Sequence, residues 1–592
     1  MNKARRKTHK TGTLRRLERE SLVLSCTRRL SNRFVRFFES GFASPILTSA
    51  KAVNRFARQR ITGPIYNKLG VRKSFAMPAR NNVASFIERS PVTRWICRAR
   101  DAILNSSLRT AGVFLLTFGI YAAAAFVIKD YSSVRLGAAT SPDDLTFAAI
   151  VALFGLLLSM FGDKSILATF GSSKLIGPLL YNCLGVNDFT FVRHSKTPTK
   201  TAVGYGFLYG SLFGGISFLL SPHHILLCLL AFALFATIIN IPEFGLLLAV
   251  ILLPIMPVGV ISAISAVTLI SYFVKCLRLK RNFRFGTADA VVLLAYLATF
   301  IACAASGGVV TQGERYLLCL SALYFPVKNM ICSEKLLVQA FNALCLSAEL
   351  GMVFYLLGDF ATLIPHAQLR NAATTISKSA LEPEMLAILI SCTLPFALSS
   401  YSALGRRRAK RLFVPLALAT ALFVDSLSFY VLLVVSTLVY VAAAYKAPVG
   451  ALLGGLIALP PVVVIANGFS TSISVVAGRE LALDKAFGAT YADSFATFWQ
   501  SFSSVGGIVS SVLLAIAILL ILQRVLGSYV GEHGSTIALF GGTVTSSAIN
   551  VIICGTAFNT LSDVRLIVVM WFVFGLCGSI YKVAYRPDSK EA

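Results

Sequence analysis

From Thr110 to Tyr581 the chain repeats runs of 17 or more largely apolar residues, and no other feature constrains its fold as strongly. Each run can cross a hydrocarbon core, which needs roughly 20 helical residues at 1.5 Å rise. The bilayer core offers no water to backbone N–H and C=O groups, so such runs are stable there as helices, whose hydrogen bonds close within the segment. Composition agrees: 56% of the 592 residues are hydrophobic and only 14% are charged, against about 25% charged in water-soluble domains. An ordinary soluble enzyme, a disordered polymer and a disulfide scaffold are thereby excluded. The expected fold is all-α, a polytopic transmembrane helical bundle. Sixteen segments are candidates, and because Pro254 and Pro257 interrupt the fifth and sixth and others are short, the expected count is about 12 to 16 spans.

Charge divides the chain in two. Residues 1–109 hold 25 Lys and Arg against five acids, so about +20 of the formal +29 lies there, ahead of the membrane domain expected over 110–592. Basic and aromatic residues interleave, as in Arg33-Phe34-Val35-Arg36-Phe37-Phe38, the pattern of amphipathic helices lying on a membrane. Lys3-Ala4-Arg5-Arg6-Lys7 has no apolar stretch behind it, so no signal peptide is expected. Residues 1–109 are accordingly read as a cytoplasmic, membrane-surface segment whose partners are anionic lipids rather than nucleic acid. Prolines at Ser44-Pro45, Gly63-Pro64 and Ser90-Pro91 divide it into short helices.

Placing the first span outward puts 22 of the 30 bases after Arg109 on the cytoplasmic side, as the positive-inside rule requires. The expectation is a multi-pass plasma-membrane protein with both termini in the cytoplasm. Two external loops, 358–384 and 467–507, are longer than a simple connection needs. External arginines suit a diphosphate, because the guanidinium fork matches phosphate oxygens. Arg479 and Arg370 lie in these loops, and Arg315 and Arg565 are on the same side. His366, near Arg370, could accept a hydroxyl proton near neutral pH. Asp425 ends a span near the outer face, and Glu349 interrupts an apolar run, where a carboxylate is costly unless paired, for which Lys328 or Asn550 is available.

Other features have simpler readings. Gly206, Gly210 and Gly214 recur every four residues and predict close helix packing. His223-His224 occupies an outer turn in which no acidic partner is evident, so a metal site is not expected. Seven of the twelve cysteines lie in apolar runs and no CxxC occurs, which makes them small hydrophobes. No HExxH, Walker A or GxSxG motif is present, and neither a metal nor a cofactor is expected.

Three stretches carry a resemblance. Ile241-Pro242-Glu243-Phe244-Gly245 leads through Pro254 and Pro257 to a helix ending in Lys275-Cys276-Leu277. Leu381-Glu382-Pro383-Glu384-Met385 opens a helix containing Pro395, followed by a basic turn and a helix pair. Asn559-Thr560-Leu561-Ser562-Asp563-Val564-Arg565 precedes Trp571-Phe572-Val573-Phe574-Gly575-Leu576. In these the chain resembles the O-antigen ligase and O-antigen polymerase family of bacterial envelope proteins, most closely its divergent Gram-positive members.

The resemblance implies a metal-independent glycosyltransferase-like protein, a ligase or polymerase in cell envelope biogenesis. It would act on glycans carried by a polyprenyl diphosphate, such as undecaprenyl diphosphate, at the outer face of the plasma membrane. External arginines would hold the leaving group and a base would activate the acceptor hydroxyl. Where the family usually carries Ser-Arg-Gly, this chain has Ser426-Leu427-Ser428, so a degenerate member is one form of this reading. The alternative class is a secondary transporter or lipid-linked oligosaccharide flippase, which also needs proline-broken helices with embedded polar groups but should show an internal repeat that the sequence does not display. The topology has a direct check. Cysteine labelling at positions 370 and 479 in a cysteine-free background should succeed with membrane-impermeant reagent on intact cells, whereas labelling in the leader should require permeabilisation.

Overall fold

The computed structural model describes residues 106–131, 142–161, 165–185 except 175, 202–277, 285–305, 323–361, 381–403, 412–424, 427–446, 498–530, 536–557 and 564–584, with 283 and a few positions between 85 and 94. All regular elements among them are helices, and the one sheet-type pairing there is an isolated bridge between Ser107 and Ser165. In chain order the helices are α1 Leu108–Tyr131, α2 Pro142–Met160, α3 Ile166–Ser172, α4 Ile176–Asn182, α5 Ala202–Gly215, α6 Pro222–Asn240, α7 Pro242–Leu252, α8 Val258–Leu277 and α9 Thr287–Ala305. They continue as α10 Tyr324–Met330, α11 Glu334–Ala361, α12 Pro383–Ala403, α13 Phe413–Phe423, α14 Leu427–Lys446, α15 Phe498–Val530, α16 Thr536–Ala557 and α17 Val564–Ala584. Five of them (α1, α2, α6, α8 and α11) are long and apolar enough to cross a membrane. Shorter apolar helices include Pro242–Leu252, Phe413–Phe423 and Leu539–Gly555.

Several boundaries depart from the sequence reading. The span expected near 316–332 contains only the seven-residue α10 within the described residues. The connection expected between the second and third spans holds two short helices, α3 and α4. Residues 498–507, read as the end of an external loop, are helical, and α15 carries its break at Gly507 (φ 70°, ψ −172°), where the left-handed φ favours glycine. The leader up to position 84, the core of loop 358–384 (362–380) and most of loop 467–507 lie outside the described residues, as does the expected span 449–466.

The helices form two compact units, one from 71–284 with 322–381, the other including 285–321 and 382–592. In the first, glycines decide the packing. A Cβ on Gly112 would stand 2.3 Å from the Ser159 backbone nitrogen, one on Gly155 2.3 Å from Leu116 N, and one on Gly119 2.7 Å from Ala148 O. The pairing 112 with 159 and 119 with 148 makes α1 and α2 antiparallel. The predicted glycine stripe of α5 lies on the same helix: Gly206 faces Thr110, Gly210 faces Phe114 and Thr117, and Gly214 faces Phe118 and Tyr121. The constant offset makes α5 parallel to α1. Lipid supplies no hydrophobic drive between helices, so close backbone approach has to provide the attraction. Phe118, Ala122, Ala148, Val151 and Ile225 form the buried centre of this packing.

The second unit is a bundle of α9 and α12–α17. Thr299 of α9 and Ser510 of α15 share a hydroxyl–hydroxyl hydrogen bond of 2.5 Å. Phe572, Val573, Leu576 and Cys577 bury α17 almost completely. In a stability measurement on purified protein, Gly112→Ala should cost about 1–3 kcal/mol, because backbone must move to admit the methyl group. Gly204→Ala, where a Cβ meets nothing within 4 Å, should stay within about 0.5 kcal/mol of the parent.

Candidate functional site

Each unit contains a polar centre built where a proline interrupts helical hydrogen bonding. In the first unit the break is Ile241 (φ −132°, ψ 82°) between α6 and α7. Pro242 has no N–H, so the carbonyl four residues back, Ile238, loses its helical donor. Ser271 of α8 reaches that carbonyl at 3.0 Å and Ile239 O at 2.9 Å, and Lys275 Nζ donates to Asn240 O. The end of α6 is thus capped by its neighbour α8. Glu243, second residue of α7, is only 5% exposed, and its charge suits the positive end of the helix dipole.

The same unit holds a second capped end. α4 stops at Asn182 and the chain turns through Gly185 (φ 70°), where a Cβ would lie 3.5 Å from Glu243 Cβ. Gln339 Nε2 donates to Tyr181 O at 2.6 Å and Asn342 Nδ2 to Asn182 O at 2.7 Å. These two amides, i and i+3 on α11, close the last carbonyls of α4. Lys328 of α10, also buried, stands 6.0 Å from the Tyr324 ring centroid.

In the second unit Pro395 lies inside α12 and frees the carbonyl of Ser391. Ser436 Oγ of α14 donates to it at 2.8 Å, and Asn550 Nδ2 of α16 donates to it at 2.9 Å and to Ser436 Oγ at 2.7 Å. One helical turn before Asn550, Ser547 Oγ donates to Cys392 O at 2.6 Å. Three helices therefore share one proline break, and all its partners are buried. Between α15, α16 and α17 there is a cavity of about 10 Å³ with an apolar lining that includes Leu514, Val551 and Phe574, room for one water-sized sphere and no more.

Glu349 is half-buried on α11, 12 residues before its end at Ala361, or about 18 Å along the axis. Arg565 is half-buried in the first turn of α17. His366, Asp425, Arg479, Arg370 and Arg315 lie outside the described residues. Of the two groups considered as partners for Glu349, Asn550 spends its amide hydrogens on Ser391 and Ser436.

The histidine turn needs correction: His223 Nδ1 is 3.1 Å from Asp144 Oδ1, an acidic partner 79 positions away on α2. His224 bonds Ser221. Among the described residues no group of three or more His, Cys, Asp or Glu could hold a metal. Glu243, Gln339, Asn342, Ser391 and Ser436 were not singled out from sequence. The available signal was the placement of Pro242 and Pro395, each of which guarantees an orphan carbonyl four residues upstream.

No family model, curated protein or solved structure matches the chain. What the structure defines is a class: a protein that is helical throughout its described residues, with five helices long and apolar enough to cross a membrane.

Asn550→Leu leaves the Ser391 carbonyl with Ser436 alone and should cost about 1–3 kcal/mol of stability. In a Pro395→Ala background the restored N–H can serve Ser391. The same leucine substitution should then cost roughly 1 kcal/mol less in a double-mutant unfolding cycle.

Proposed function

We propose that this chain is an O-antigen ligase- or polymerase-like membrane protein, transferring or polymerising glycans linked to a polyprenyl diphosphate at the outer face of the plasma membrane. The observation that supports this reading most is the form taken by the first resembling stretch. Pro242 and Glu243 open a separate half-helix with a buried carboxylate in its first turn, where an unspecialised apolar span would run through unbroken. The second stretch likewise opens α12 at Pro383 and contains the Pro395 break, and the third leads into α17 with Arg565 in its opening turn.

In this reading the acceptor hydroxyl attacks the anomeric carbon of the carried glycan. Its proton passes to a base drawn from His366, Asp425 or Glu349, and the polyprenyl diphosphate departs with the electron pair of the broken C–O bond. Arg479, Arg370, Arg315 and Arg565 hold the diphosphate, whose charge grows as the bond breaks, so the guanidinium contacts strengthen in the transition state. The basic leader rests on anionic lipids, with both termini in the cytoplasm.

The test is single replacement of Arg479, Arg370 and Glu349 in the native host, with surface glycan chain length and lipid-linked intermediates measured together. Accumulated lipid-linked glycan in the outer leaflet of the membrane, at normal protein level, is expected. Unchanged glycan in all three variants would remove the site assignment. Intermediates held on the cytoplasmic side would indicate the flippase alternative instead.

A further inference from the structure

We propose that Ser221, His223 and Asp144 form an acyl-transfer centre that cleaves carboxylic esters of long hydrocarbon chains, with Ser221 as nucleophile and His223 as its base. Ser221 is the N-cap of α6, a position at which serine normally accepts a bond from the first-turn amides, yet its hydroxyl makes no capping bond. The hydroxyl is turned instead to two imidazoles, His223 Nε2 at 3.5 Å and His224 Nδ1. On the other side of the His223 ring, Nδ1 stands 3.1 Å from Asp144 Oδ1. A carboxylate oxygen only accepts, so the ring hydrogen belongs on Nδ1 and the Nε2 lone pair is left for the Ser221 hydroxyl. A tie between α2 and α6 would need only the His223–Asp144 pair and would leave Ser221 to cap its helix.

Hydroxyl, imidazole and carboxylate joined in this order make an activated nucleophile, recognised by geometry and not by order along the chain. The 3.5 Å from Ser221 to His223 fits the looser spacing of such pairs before substrate binds. Asp144 is 8% exposed, whereas the His223 side chain is about half exposed, so the orienting acid lies inside and the base is open to substrate. Among the described residues a carboxylate holds His223 and none holds His224, which makes His223 the base. Exposed Leu219 and Leu220 directly precede Ser221, and exposed Leu145 follows Asp144, so apolar surface flanks the centre and suits an ester with a long hydrocarbon chain. In the reaction Ser221 Oγ bonds to the ester carbonyl carbon while its proton passes to His223 Nε2. The oxyanion forms beside the first turn of α6, at the positive end of the helix dipole. The bond from carbon to the alcohol oxygen then breaks, the alcohol leaves with the electron pair and takes the proton from Nε2, and water repeats the sequence to release the acid. No step uses a diphosphate or an arginine, so the proposal stands apart from glycan transfer.

The experiment treats the full chain in detergent with a fluorophosphonate probe, maps the adduct by mass spectrometry, and follows hydrolysis of p-nitrophenyl acetate and p-nitrophenyl decanoate. One adduct per chain, on Ser221, is expected, with kcat/KM about tenfold or more higher for the decanoate. Ser221→Ala should abolish labelling and turnover, and His223→Ala should slow both roughly a hundredfold or more. Asp144 acts as a positioning residue: Asp144→Asn should slow labelling about tenfold or more yet leave its end point at one per chain, whereas a merely structural loss would lower the end point. If Ser221→Ala fails to fold, the adduct mapped on the unmodified chain decides. Absence of labelling, an adduct elsewhere than Ser221, or labelling of His223→Ala at the parental rate overturns the proposal. Equal turnover of the two esters overturns its substrate class.

Discussion

The interaction on which both helical units depend is the hydrogen bond offered to a carbonyl that proline has deprived of its helical donor. In water such a carbonyl would be solvated at little cost. Among apolar helices it must find a protein donor, because an orphan polar group there costs several kcal/mol. Ile238 finds Ser271, and Ser391 finds Ser436 and Asn550. Each solution ties a broken helix to a neighbour far away in sequence. The breaks are therefore also the places where tertiary contacts are most specific.

Around these polar centres the rest of the packing is made by small residues. Gly112, Gly119 and Gly155 bring α1 and α2 to backbone contact, and Gly206, Gly210 and Gly214 do the same for α5 on α1. The two devices divide the work. Glycine stripes hold continuous helices side by side through many weak contacts, while hydroxyl and amide side chains hold interrupted helices through a few directional ones. The polar centres gather oxygen atoms in an apolar surrounding, which is a physical precondition for recognising ions or hydroxyl-bearing ligands.

The glycine stripe of α5 was readable because its spacing is local: positions four apart share a helix face whatever the rest of the chain does. The five helices long and apolar enough to cross a membrane were readable for the same reason. Pro395 was likewise expected inside a helix, yet its partners were not, since Asn550 lies 159 positions from Ser391 and no periodicity links them. Asp144 was missed as the partner of His223 across 79 positions for the same cause. Glu243 lies in the Ile241–Gly245 stretch, directly after Pro242. Its burial against the turn at Gly185 is set by how α4 and α7 meet, which residue spacing does not encode.

By itself the sequence determined the apolar, helical character of the five helices long enough to cross a membrane, the concentration of positive charge in residues 1–109 and the positions at which proline removes a helical donor. These are consequences of local chemistry: side-chain hydropathy, charge, and the missing N–H of proline. Tertiary structure alone decided which hydroxyl or amide meets each freed carbonyl, which carboxylate is buried, and which amide oxygens are turned away from the helix ends they cap. Those outcomes depend on the directions of groups brought together from distant parts of the chain, and hydrogen bonding selects among them only once helix packing has set the distances.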